Sequence, residues 1–233
     1  LELADFGERL VGWLRDGYLA VDGRVFDVGI QTHAALSKLA AGVDPEQAGP
    51  RGERDNGNGS LMRVLPLALW HRGSDQALID DAMRSSLPTH GHLRSQLCCA
   101  IYCVWARRVL DGFELQPAWQ QAVALIEQLA REREDLEREL ADLDLRREPG
   151  GRGSGYVVDC LHSARLALEE RSFEAVVKAA VAIGNDTDTT AAVAGGIAGI
   201  RFGTEGIPPR WRGDLRGREQ LDPLLDALLR HSS

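Results

Sequence analysis

Leu3, Phe6, Leu10, Trp13 and Leu14 recur at spacings of three and four, which lays them along one face of a helix that stops at Asp16-Gly17. The same period predicts helices over 32–41, ended by Gly42, and over 61–70, 75–86 and 93–110, the last two parted by the Pro88-Thr89-His90-Gly91-His92 break. Between the second and third of these, 44–59 reads as a polar, Gly-rich loop. A long helical stretch spans 116–145, and its segment REREDLERELADLDLRR alternates charges around Leu136, Leu140, Leu143 and Leu145, as a solvated amphipathic helix does. After the PGGRGSG loop at 149–155, helices are expected over 156–170, 173–183 and, past a polar knot at 184–188, over 189–202. Pro208-Pro209 and Trp211 mark a tail that ends in a helix near 222–230. No stretch alternates apolar and polar residues for long, so the expectation is an all-α fold of one domain.

The chain has 233 residues, with 27 Lys+Arg against 35 Asp+Glu and a net charge of −8. That balance, without a basic block, argues against a binder that works by neutralising nucleic-acid phosphates. A small anion is still admissible, because 25 glycines exceed the usual ~7 % share and Gly-rich loops hold phosphates through backbone N–H groups. No apolar run approaches the ~20 residues of a membrane-spanning helix. Cys98, Cys99, Cys103 and Cys160 form no C-x-x-C pair and read as reduced core thiols, which predicts a reducing, cytoplasmic compartment. The chain opens at Leu1 inside an amphipathic pattern with no helix-start signal, so a natural N-terminal segment is expected to be missing.

The segment GNDTDTTAAVAGGIAGI brings Asp186, Asp188 and Thr189 together directly before a helix of small residues. Two carboxylates and a hydroxyl suit a hard cation, Mg²⁺, Mn²⁺ or Ca²⁺; the other reading is an Asp/Thr helix cap. Asp186-x-Asp188-x-Thr190 also matches the nucleophile motif of haloacid-dehalogenase-like phosphatases, but no strand precedes it, as those enzymes require. Asp55-Asn56-Gly57-Asn58-Gly59-Ser60 enters a helix start, where a phosphate would be held by N–H groups, although any tight turn looks similar. His90 and His92 have no third His or Cys at ligand spacing and read as lone histidines; Asp27 alone reads as a turn or cap carboxylate.

Taken in order, FDVG at 26–29, GNGSLMR at 57–63, THGH at 89–92, GSGYVVD at 153–159 and GNDTDTTAA at 184–192 resemble the ADP-ribosylglycohydrolase family over almost the whole chain. The resemblance implies an all-α, bundle-like domain with two Mg²⁺ or Mn²⁺ ions in a central cleft, and a hydrolase that removes ADP-ribose from a protein side chain or a small conjugate. By the same resemblance Asp186, Asp188 and Thr189 are metal ligands. Gly57, Asn58, Gly59 and Ser60 hold the phosphates and distal ribose beside His90, and Gly155 and Tyr156 form the wall next to the nucleotide. Asp27 matches the acid that arginine-directed members place near the scissile bond, although Ile30 stands where many carry Asn. The resemblance thus favours arginine as the modified residue, with Asp27 or Asp186 as the catalytic carboxylate. The family's Gly-Asp-Ala-x-Gly segment and Thr-Asp-Asp metal motif lie upstream of the region that Leu1 begins, so half the metal shell is expected to be absent. The alternative is a non-catalytic relative that binds ADP-ribose or serves structurally.

Overall fold

The computed structural model describes residues 1–231, with thirteen α-helices and no strand among them. In chain order they are α1 (Leu3–Asp16), α2 (Ile30–Ala40), α3 (Pro45–Ala48), α4 (Leu65–Trp70), α5 (Asp75–Ser86), α6 (Leu93–Leu110), α7 (Leu115–Ala130), α8 (Glu134–Leu143), α9 (Val157–Ala167), α10 (Phe173–Ile183), α11 (Thr187–Gly206), α12 (Pro209–Asp214) and α13 (Arg218–His231). A 3-10 turn at Leu61–Arg63 precedes α4.

The molecule is organised around α6, which packs against α4, α5, α7, α8, α9 and α11. All three of its cysteines and Leu97, Ile101, Tyr102 and Trp105 are buried, so it is covered on almost every side and shows no amphipathic stripe. Trp105 meets Trp119 of α7 edge to face at 5.1 Å, and the Tyr102 hydroxyl donates to the Val193 carbonyl of α11 at 2.8 Å. All four cysteines are buried and free, as core thiols should be.

Where local chemistry defines an end, expectation and structure agree closely. Ser74 and Ser172 accept hydrogen bonds from Ala77 and Ala175 N–H and open α5 and α10, and Gly17 closes α1 in the left-handed region at φ 68°. Other expectations are corrected. The stretch 116–145 is two helices, because the chain turns at 131–133 so that Leu136 and Leu143 of α8 fold back into the core instead of lying along a solvated rod. Pro66 restarts 61–70 as a 3-10 turn and then α4. The loop 44–59 contains α3, capped by Asp44; α11 breaks at Gly203; the C-terminal region holds two helices where one was expected. No described helix is long and apolar enough to cross a membrane.

Candidate active site

Three loops far apart in sequence are knitted together at one end of the α6 bundle. Residues 56–58 run antiparallel to 155–157: the Asn58 N–H donates to the Gly155 carbonyl at 3.0 Å, the Val157 N–H to the Asn56 carbonyl at 2.9 Å, and Gly57 pairs with Tyr156. The third loop joins through the Asp186 N–H, which donates to the Gly153 carbonyl at 2.7 Å. Asn185, left-handed at φ 59°, ties the same turn to the Arg152 carbonyl at 2.7 Å. Asp159 holds the middle loop by accepting from Arg152 N–H, Ser154 N–H and the Ser154 hydroxyl. Burial works to raise the Asp159 pKa, but those hydrogen bonds outweigh it and keep the carboxylate below its ordinary range.

Together these loops line a cavity of about 730 Å³, within the range of ligand sites. Asp27, Gly57, Asn58, Gly59, His90, Gly155, Tyr156, Asp186, Asp188 and Thr189 all face it. Ser60 does not. It is 1 % exposed, and its hydroxyl meets those of Ser86 at 2.9 Å and the Cys99 thiol at 3.4 Å, so it braces the loop from behind. The cavity is also the meeting point of four helical N-termini, those of α2, the 3-10 turn, α9 and α11. Their positive dipole ends favour an anionic guest.

Asp186 occupies the N-cap position of α11, yet its side chain makes no capping bond; Oδ2 instead accepts from Asn58 Nδ2 at 2.8 Å, across 128 residues. Burial raises the Asp186 pKa, but the Asn58 amide and the polar groups at the helix start outweigh it, so the acid is held ionised. Asp186, Asp188 and Thr189 present only hard oxygen donors, which suit Mg²⁺ or Mn²⁺ better than Zn²⁺. Among the described residues no group of three or more His, Cys, Asp or Glu is arranged to hold a metal ion.

A model of the ADP-ribosylglycohydrolase family matches residues 1–233. The chain belongs to the ADP-ribosylglycohydrolase family. It is 31 % identical over 214 residues to the ADP-ribosylarginine hydrolase Tri1 of Pseudomonas putida, covering 90 % of this chain and 55 % of that protein. It is 27 % identical over 233 residues to the ADP-ribosyl-(dinitrogen reductase) glycohydrolase of Rhodospirillum rubrum, covering 98 % and 72 %. A solved ADP-ribosylglycohydrolase-related protein complex superposes with a TM-score of 0.76 at 30 % identity, over 100 % of this chain and 75 % of that one. The chain thus spans a little over half the length of the Tri1 relatives, 55 % of the Pseudomonas protein and 61 % of its Serratia proteamaculans counterpart.

This member of the family also builds its cleft from residues that carry no motif of their own. Gln31 accepts from the Gly57 N–H at 2.9 Å and donates to Asp55 at 3.3 Å, which fixes the first turn of the Gly-rich loop. Thr32, Arg54, Asp55, Asn56 and Met62 also line the cavity. His92, left as a lone histidine by its spacing, caps α6 by accepting from the Arg94 N–H. Tyr156 is held from behind by Arg94, which donates to its hydroxyl at 3.2 Å and pairs with Glu139 and Asp142 of α8.

Proposed function

We propose that this chain carries the cleft of a metal-dependent ADP-ribosyl hydrolase, with an ADP-ribosylated arginine side chain as the favoured substrate. The observation that carries the reading is the Asn58–Asp186 hydrogen bond: it places a loop suited to phosphates against a pair of carboxylates suited to a hard cation, inside one cavity. The names of the relatives support the same chemistry. The diphosphate would lie along 57–59, where the helical N-termini converge.

Asp186, Asp188 and Thr189 would hold Mg²⁺ or Mn²⁺, together with ligands supplied from elsewhere. Bound there, the metal supplies a positive anchor for the ribose hydroxyls and makes a nearby water more acidic. Hydrolysis breaks the bond between ribose C1 and the guanidinium nitrogen, adds the water oxygen to C1, and returns one proton to the leaving guanidine. The exposed Asp27 stands at the cavity wall, in a left-handed backbone conformation at φ 49°, where its carboxylate would meet the guanidinium. Asp27 or Asp186 would accept the water proton. The buried, unpaired thiols support a reducing compartment as the place of action.

The test is calorimetric titration of ADP-ribose with Mg²⁺ or Mn²⁺ and again with EDTA, followed by turnover of an ADP-ribosylarginine peptide. Metal-dependent binding with release of ADP-ribose is the expected result. Binding without turnover would favour the non-catalytic reading, and no binding in any condition would sink both.

A further inference from the structure

His90 sits against the Gly-rich loop at 2 % exposure and lines the cavity. Its ring lies so close that a Cβ built on Gly59 would come within 2.9 Å of its Cε1, and one built on Gly57 within 3.2 Å of its Nε2. A side chain at either glycine would therefore displace the imidazole. What the ring offers to a guest depends on which nitrogen carries the proton.

The hydrogen bonds around the ring decide it. Arg63, at the end of the 3-10 turn, has only donors: Nη1 gives to the Gly59 carbonyl at 2.9 Å, and Nη2 to the Thr89 hydroxyl oxygen at 2.7 Å and the Ser85 carbonyl at 3.2 Å. Thr89 is fully buried, and its hydroxyl has one other partner, His90 Nδ1, at 2.8 Å. Arg63 can only donate to the Thr89 oxygen, and among the described residues Nδ1 is the one acceptor the buried Thr89 O–H can reach, so the O–H is directed at Nδ1, which accepts. The neutral ring then carries its proton on Nε2, the nitrogen with no partner among the described residues. Burial, reinforced by the Arg63 charge, drives the His90 pKa down to about 3, so the ring stays neutral at working pH.

We infer that Arg63, acting through Thr89, is a positioning residue that locks His90 as a neutral Nε2–H donor aimed into the cleft, where it serves an oxygen of the ADP-ribosyl group. The inference rests on the proposed function only for the identity of the guest. Arg63 simultaneously pins the Gly59 carbonyl, so one guanidinium sets both the loop and the donor beside it.

The ring is read by long-range ¹H–¹⁵N NMR of the ligand-free chain, with the His90 signals assigned by their loss in His90→Gln. The expected wild-type spectrum shows a protonated Nε2, an unprotonated Nδ1 and no titration between pH 5 and 8. Thr89→Val, which keeps Arg63 and its bonds to Gly59 and Ser85, should mix the two tautomers and weaken ADP-ribose about tenfold; Thr89→Ser should restore both. A wild-type ring protonated on Nδ1 or titrating near pH 6.5, or a Thr89→Val ring unchanged in tautomer, would overturn the relay. A changed tautomer with unchanged ADP-ribose affinity would overturn its role in positioning the donor. Failure of every variant, wild type included, to bind ADP-ribose would count against the proposed function and not against the relay, which the ligand-free spectrum decides alone.

Discussion

Asn58 is a single amide that must satisfy two demands, since its backbone N–H closes the 58–155 pairing while its side chain reaches the ionised Asp186. Hydrogen bonds to a charged group contribute about 1.5–3 kcal/mol, so Asn58→Ala should leave the helical content intact and weaken metal-dependent ADP-ribose binding by roughly tenfold or more. Asn58→Asp tests the sign: a second carboxylate facing Asp186 Oδ2 brings like charges together, so binding without metal should fall further than in Asn58→Ala, and added Mg²⁺ should recover part of it. Calorimetry on the two variants with and without EDTA separates these outcomes; equal losses under both conditions would show that Asn58 acts only on the loop. Asp188→Ala, whose side chain is exposed and spans no core, should abolish metal-dependent turnover with the fold retained.

Helices α6 and α11 approach closely because the small residues of α11 admit them, and its two adjacent glycines are not equivalent. A Cβ on Gly196 would stand 2.7 Å from both Leu65 Cδ2 and the buried Tyr102 hydroxyl, whereas one on Gly195 meets only Val177 Cγ2 at an ordinary 3.7 Å. Gly196→Ala should therefore cost about 1–3 kcal/mol through overpacking, and Gly195→Ala should stabilise by about 0.5–1 kcal/mol through reduced backbone entropy. Thermal melts of the pair should move in opposite directions, and a shared direction would refute the packing argument. The same contrast between local and distant causes explains what the sequence discloses. The ends of α5 and α10 follow from their own Ser caps, and the Gly-rich loop and the acid knot are each written within a few consecutive residues. The turn between α7 and α8 is imposed by the core that receives Leu136 and Leu143, while the leucine period runs through it unbroken, so periodicity overlooks it. Gln31, Arg63 and Thr89 are ordinary residues in sequence and acquire meaning only when folding carries them to Gly57, Gly59 and His90.

Among the described residues His90 and His162 are buried and held neutral, and they tie the molecule's stability to pH. His162 is fully buried; its Nε2 donates to the Leu143 carbonyl at 2.8 Å and its Nδ1 accepts from Arg165 at 2.9 Å, in a cluster where Arg165 also stacks over Trp119 at 4.1 Å. Burial holds its pKa down to about 4, against the bond to Leu143, and His90 is lower still. An unfolded histidine titrates near 6.5, so above that pH both states are neutral and these residues add no pH dependence. As pH falls below about 6.5 the unfolded chain takes up protons that the folded one refuses, and stability drops by about 1.4 kcal/mol per pH unit for each histidine, down to about pH 4. The depressed Asp159 and Asp186 pull the same way at lower pH, since their protonation also favours the unfolded chain. Urea titrations at pH 7.5, 6.5, 5.5 and 4.5 should show a plateau followed by a slope approaching two protons. In His162→Gln that slope should fall to about one proton whatever the variant's stability at neutral pH, because the slope counts protons and is insensitive to the packing lost; an undiminished slope would show that His162 titrates alike in both states and that the Arg165–Trp119 cluster does not keep it neutral.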